Sequence, residues 1–328
     1  MTWCTKSSRR KHPDLRHRGT IVDGSPLELP EKPLLDPFVT DEYELIDFGH
    51  GRRLERFGAV ILDRPSPAAD DVPVLPEAWS KAEARFERTR GNFGRWVDVR
   101  KVPERWTIRW GPLVFELKRN ESGHVGLFPE QVANWSWLYH HIVGRERPGP
   151  VLNLFAYTGG STLAAALAGA EVFHVDAARN VVAWAKRNAE LSGLDQAAIH
   201  WIVEDARKFV RREIRRDRQY WGIILDPPSY GHGPRGEAFQ LEKHIVGLLE
   251  AVFTLLDWEK GFLLLTCHTP GYGTQKLTRL FHDLRPELWQ RGRMTVRMMT
   301  ISSTNGRILP SGMLVRWESE DDQEAAGI

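Results

Sequence analysis

The chain has 328 residues, 41% of them hydrophobic, which suffices for one large domain preceded by a smaller one. No apolar stretch reaches the roughly 20 residues that span a bilayer, and the N-terminus lacks the apolar segment of a secretory signal, so no membrane partner and a cytoplasmic location are expected. The 45 Lys and Arg residues against 43 Asp and Glu leave a net charge of +2, so nucleic-acid affinity has to come from local basic patches; Cys4 and Cys267, the only cysteines, argue against a disulfide framework or a metal site.

Residues 1–38 are polar, proline-punctuated and basic at their start, with no hydrophobic period, and read as a tail without fixed structure. Such a tail is either solvated or an arm for a phosphate backbone; Pro13 and Asp14 interrupt any targeting helix there. Residues 39–122 read as a small β-rich subdomain: Tyr43 to Arg64 forms two strand-like runs around a turn at Gly49 and Gly51, followed by Trp96 to Val102, Trp106 to Trp110 and Leu113 to Lys118. Its tryptophans and arginines either stack on single-stranded nucleic acid or fill the core of the β unit, and the core is the stronger reading. The stretch HVGLFPEQ leads into a helix over Val132 to Val143, and Arg145 to Pro150 forms a linker.

From Val151 the chain alternates strand and helix, which predicts a doubly wound parallel sheet over residues 123–328. The first strand, VLNL, stops in a glycine-ended turn that feeds a helix. Strands follow at Glu171 to Asp176, Ile199 to Val203, Trp221 to Leu225 and Phe262 to Thr266. Between them lie helices over about 177–192 and 206–217 and a long one carrying Ile245, Leu248, Leu249, Val252, Phe253 and Leu256. A fifth helix is marked by Leu277, Leu280, Phe281 and Leu284, and Met294 to Ile301 with Met313 to Trp317 predict a closing hairpin. In such sheets ligands meet the carboxyl ends of strands, and those ends are polar here: Asp176, Asp205, Asp226, and Cys267 with His268. Each aspartate alone is as well read as a helix cap; four polar strand ends together point to a nucleoside-containing ligand. The first turn lacks the G-x-G-x-x-G spacing that cradles a pyrophosphate, which disfavours NAD.

With N-L-F-A-Y-T-G at Asn153 to Gly159, V-D at Val175 and Asp176, D-A at Asp205 and Ala206, and D-P-P-S-Y at Asp226 to Tyr230, the chain resembles the class I S-adenosylmethionine-dependent methyltransferases. More closely it resembles the large-subunit ribosomal RNA methyltransferases, whose G-F-F-x-D-Q is matched by GLFPEQ with Glu130 in place of the aspartate. The resemblance implies a Rossmann-like seven-stranded α/β sheet with its last strand antiparallel, and S-adenosyl-L-methionine as cofactor. It implies that Asp176 holds the ribose, Asp205 and Ala206 the adenine, and the turn with Phe155, Tyr157, Thr158, Gly159 and Gly160 the methionine part. Asp226, Pro227, Pro228, Ser229 and Tyr230 would face the methyl acceptor, with Asp226 touching cofactor and acceptor alike. Physically, two prolines fix the backbone there, so carboxylate and carbonyls hold an amine while Tyr230 offers a stacking face.

Methylation at carbon 5 of a pyrimidine needs a nucleophile at carbon 6, and Cys267 inside T-C-H-T resembles the T-C-S signature of 5-methylcytosine RNA methyltransferases, with His268 placed to assist its ionisation. Thr269 stands where the closest family often has a second cysteine, and a buried structural cysteine is the competing reading. Cytosine C5 is the favoured expectation; the alternatives are N-methylation of a guanine amine through Asp226, a non-RNA substrate, or a module that only binds the cofactor. The helix over 206–217 sets Arg207, Lys208, Arg211, Arg212, Arg215 and Arg216 opposite Phe209, Val210 and Ile214, which adds to the expectation of RNA, ribosomal by resemblance, as partner.

Overall fold

The computed structural model describes residues 36–90, 93–145, 148–233 and 236–320. The basic N-terminal tail and Cys4 lie outside these residues, apart from the last positions of the tail.

Five strands, β1 (Tyr43–Gly49), β2 (Arg52–Phe57), β3 (Val60–Pro65), β4 (Ala84–Arg90) and β5 (Phe93–Asp98), form one sheet in sequence order, and β6 (Trp106–Trp110) pairs with β7 (Leu113–Leu117) as a hairpin. The run after Gly51 is two strands, because Gly58 at φ +64° turns the chain between Phe57 and Val60. β4 was not legible as a strand: only Ala84 and Phe86 of its ARFERTR turn into the core. The tryptophans fill that core and satisfy their indole N–H groups internally, Trp96 on the Asn120 carbonyl, Trp106 on Phe57 and Trp110 on Phe38, at 2.9–3.1 Å.

A short turn at Pro129–Gln131 opens α1 (Val132–Ile142), and the alternation expected from Val151 follows: β8 (Val151–Leu154), α2 (Gly160–Leu167), β9 (Val172–Asp176), α3 (Arg179–Leu191), β10 (Ile199–Val203), α4 (Ala206–Arg215) and β11 (Gly222–Leu225). The glycine-rich loop contains a small hairpin, β12 (Tyr230–His232) and β13 (Ala238–Gln240), and then come α5 (Leu241–Phe253), β14 (Phe262–Cys267), α6 (Thr274–Leu284), α7 (Leu288–Arg291), β15 (Gly292–Ser302) and β16 (Ile308–Ser319). The large sheet has seven strands in the order β10-β9-β8-β11-β14-β16-β15, and β16 alone runs opposite to the other six. This is the Rossmann-like sheet expected, with the β-rich part ahead of it.

Side-chain parity divides the sheet into two faces. Leu152, Leu154, Ile223, Leu225, Leu263 and Leu265 pack against α4, α5 and α6, whereas Val151, Ile224, Phe262 and Leu264 pack with α1 and α2. Residues 36–320 belong to one compact unit, and its core is continuous across residue 122: Phe57, Leu62 and Phe115 share a cluster with Trp135, Leu163, Ala164 and Ala189. No helix among the described residues is long and apolar enough to cross a membrane, and no cluster of three or more His, Cys, Asp or Glu suited to a metal occurs among them.

Candidate active site

The turn after β8 is held in a conformation that side chains avoid. Phe155 at φ 57° and Tyr157 at φ 49° sit in the left-handed region beside Gly159 at 91°, and such non-glycine positions cost about 1–3 kcal/mol each. Hydrogen bonds fix it: the Tyr157 N–H donates to Asp176 Oδ2 at 2.9 Å, the Thr158 hydroxyl to the Gly126 carbonyl at 2.6 Å, and Asn188 Nδ2 to the Thr158 carbonyl at 3.0 Å. Gly159 supplies the left-handed cap of α2, which has no side-chain cap and so leaves its first N–H groups facing the cleft. Gly160 serves space instead, since a Cβ there would lie 2.5 Å from Trp135 Cζ2.

A cleft opens above this turn, lined by Phe155, Tyr157, Gly159, Asn153, Asp226 and Thr266 among others. Asp176 lies at the end of β9, accepting from the N–H groups of Tyr157 and Ala178 at 2.9 Å each; burial raises its pKa against the pull of those bonds. The buried Tyr157 hydroxyl has no hydrogen-bond partner among the described residues, and burial and the Asp176 charge push its pKa up, so it stays protonated and can donate to a ligand. An open helix start, a carboxylate with spare lone pairs and an orphaned hydroxyl suit a nucleoside cofactor without phosphates. Asp205 caps α4 through Lys208 N–H at 3.1 Å and pairs with Arg207 at 3.1 Å. Each Asp205 oxygen thus has a partner within the protein, and Ala206 beside it is buried.

At the other end of the cleft Asp226 follows β11. The Thr266 hydroxyl donates to Oδ1 at 2.6 Å, Gln131 Nε2 to Oδ2 at 3.3 Å, and His268 Nε2 lies 3.5 Å from Oδ1. Burial opposes ionisation of Asp226, but His268, Thr266 and Gln131 together outweigh it and hold the carboxyl below its usual range. Burial likewise opposes the His268 imidazolium, yet Asp226, helped by Glu130 and resisted by Arg53, pushes its pKa up to about 9. Pro227 is buried, whereas Pro228, Ser229 and Tyr230 are exposed. The Ser229 hydroxyl meets that of Thr269 at 2.7 Å, and the Tyr230 hydroxyl meets His232 Nε2 at 3.0 Å.

Cys267 does not join this group. Thr266 and Leu264 line the cleft, so by strand parity Cys267 turns to the opposite face, where it is 3% exposed in the core with Leu265, Tyr272, Leu277 and Phe281. Burial raises its thiol pKa further, and the expected nucleophile is a core side chain. The sequence reading also passed over Gln131 and Thr266 as site residues, although both stand inside motifs it had quoted. The basic run of α4 differs as well: Ile214 is exposed and Glu213 is 3% exposed, pairing with Arg212 and Arg216, while Lys208 pairs with Glu237 and Arg212 with Glu204. Much of that positive charge is therefore neutralised locally.

A sheet whose last strand in sequence runs antiparallel to the rest, with a glycine turn after its first strand and an aspartate-proline pair after its fourth, defines a nucleoside-dependent transferase. The family model described as S-adenosylmethionine-dependent methyltransferase matches residues 82–301, and the chain belongs to that family. S-adenosylmethionine is its cofactor, and the protein is an enzyme. A solved S-adenosylmethionine-dependent methyltransferase from Agrobacterium tumefaciens is 36% identical with a TM-score of 0.79, over 85% of this chain and 91% of that one. One from Streptococcus mutans, 19% identical with a TM-score of 0.67 over 84% of this chain and 75% of that one, shares the fold. The ribosomal RNA large subunit methyltransferase K/L of Shewanella baltica is 34% identical over 166 residues, 49% of this chain, and the match spans 22% of that longer protein.

Proposed function

We propose that this enzyme methylates a nitrogen of a nucleobase in large-subunit ribosomal RNA. The observation that carries the reading is Asp226, held ionised in the cleft by Thr266, Gln131 and His268, with Tyr230 exposed four residues on. The cofactor supplies a methyl group on a positively charged sulfur. Asp226 accepts a hydrogen bond from the target N–H and orients the nitrogen lone pair toward that methyl. Asp226, or water beside it, would take up the proton that the nitrogen gives up on methylation. Carbon methylation through Cys267 is disfavoured by the thiol's burial and raised pKa. RNA as the acceptor rests on the names of the relatives rather than on the α4 charges, and a cytoplasmic location belongs to the same proposal.

The test is transfer of labelled methyl to transcribed large-subunit ribosomal RNA, with product nucleosides identified by mass spectrometry. A methylated nitrogen is expected, with Asp226→Ala losing at least about a hundredfold and Cys267→Ala staying within about threefold of the wild type. A 5-methylcytidine product, with a covalent adduct on 5-fluorocytidine RNA that Cys267→Ala abolishes, would restore the thiol as nucleophile.

A further inference from the structure

We propose that His268 is a second acceptor-pocket residue, whose Nε2–H donates to an acceptor atom of the substrate base next to the N–H that Asp226 accepts. The assignment rests on the reading of Asp226 as the residue facing the methyl acceptor. Neighbours in sequence, Cys267 and His268 have opposite surroundings: the thiol is buried in the core, whereas 35% of the imidazole side chain is exposed. Its Nε2 stands 3.5 Å from Asp226 Oδ1, close enough for an ion pair but too long for a good hydrogen bond, and that oxygen already takes the Thr266 hydroxyl at 2.6 Å. A donor and an acceptor are thus held side by side with the donor's hydrogen not fully committed. A base edge that carries an acceptor atom beside an N–H is complementary to that pair.

The ring is also seated. Gly312 in β16, at φ +112°, lies against it: a Cβ there would come 2.8 Å from His268 Nδ1, 3.0 Å from Met299 Cε and 3.1 Å from the Cys267 carbonyl. The strand admits the imidazole only because residue 312 has no side chain. The Ser229 and Thr269 hydroxyls meet at 2.7 Å and tie the loop after β11 to the loop after β14, so the segments that carry Asp226 and His268 are linked. The other charged or titratable groups that act on the ring electrostatically are Glu130 from the turn before α1, Arg53 from β2 and His124. Glu130 is buried at 8% exposure, and its Oε2 has no hydrogen-bond partner among the described residues. With Asp226 and Glu130 both nearby, the ring stays cationic through neutral pH, which strengthens its donation.

The experiment measures kcat/KM on transcribed large-subunit ribosomal RNA and the cofactor Kd by calorimetry for His268→Ala and His268→Gln. Gln keeps an N–H2 donor near the place of Nε2. His268→Ala should lose roughly a hundredfold in kcat/KM, the cost of one charge-assisted hydrogen bond, with the cofactor Kd within about twofold of the wild type. His268→Gln should recover at least about a tenth of wild-type activity at pH 7.5 and flatten the decline that the wild type shows above about pH 9. A folded His268→Ala that methylates as well as the wild type, or a His268→Gln as impaired as His268→Ala, overturns the assignment while leaving the acceptor reading in place. A wild type that binds cofactor but transfers nothing to RNA overturns the acceptor reading, and this assignment with it.

Discussion

Asp226 and His268 are linked more tightly than the 3.5 Å between them suggests, because each shifts the ionisation of the other. His268 is raised from its usual 6.5 to about 9, so its contribution to stability is fully present below about pH 6.5 and is lost as pH rises through about 9. Asp226 is lowered from 3.8, so its contribution is present above about that value and is lost as pH falls through the lower folded pKa. The pair stabilises the fold in full between about pH 3.8 and 6.5 and in part up to about 9. Replacing Asp226 with Asn removes the largest influence that raises the His268 pKa. Titration of the His268 ring protons by NMR should then give a midpoint shifted down from about 9 toward the usual 6.5, and a midpoint that stays near 9 would mean that Glu130 governs the ring. The tetrad T-C-H-T illustrates what the sequence reveals and what it hides. It marks a strand end at the cleft, but which of four consecutive side chains turns inward depends on the register of β14 against β11 and β16, and that register puts Thr266 in the cleft and Cys267 in the core.

The elements of the large sheet were legible because each parallel strand is a continuous apolar run and each helix carries its apolar residues at three- and four-residue spacing. α5 buries Ile245, Leu248, Leu249, Val252 and Phe253 as that spacing predicts. Where the reading failed, a polar residue had been drawn inward by partners from elsewhere in the chain. Glu213 takes the inner face of α4 because Arg212, Arg216 and the Tyr220 hydroxyl satisfy it there, the last at 3.1 Å. The β12–β13 hairpin is too short and polar to show a period. α2 gives a test at this scale, since its first residue is glycine for a reason separate from its cap. Gly160→Ala should cost about 1–3 kcal/mol by urea denaturation, because the new methyl group meets the Trp135 ring, and it should weaken the cofactor by reshaping the turn. Ser161→Ala, one residue on, leaves that contact alone and should change stability by under about 0.5 kcal/mol. Equal effects of the two substitutions would show that the Trp135 contact relaxes without cost.

The β-rich part and the seven-stranded sheet differ in architecture, yet Trp135 joins them. Its ring stacks on Phe115 at 5.4 Å and meets Trp110 edge-on at 6.0 Å and Phe38 at 6.3 Å, all from the first part of the chain, while its other side closes on Gly160 at the start of α2. At 2% exposure it is among the largest fully enclosed side chains, and the cluster around it runs from Phe57 and Leu62 to Leu163 and Ala189 without a break. Further links reinforce this core: the Thr304 N–H donates to the Leu45 carbonyl at 3.0 Å, and Arg307 donates to Asp47 at 3.1 Å and to the Phe48 carbonyl at 3.1 Å, so the tip of the β15–β16 hairpin is tied to β1. Parts that share a core lose it together, because exposing one face of Trp135 forfeits the contacts of the other. Urea unfolding followed by tryptophan fluorescence and by far-ultraviolet circular dichroism should therefore give coincident transitions. Trp135→Ala should lower the midpoint of both by the same amount, corresponding to about 3–5 kcal/mol for a large buried aromatic. The cofactor, by the reading that the turn after β8 holds it, should raise both midpoints together. An early transition confined to the β-rich part, unmoved by cofactor and unaffected by Trp135→Ala, would show that the sheet of β1 to β5 is stable by itself and that the shared cluster is a contact between independent domains.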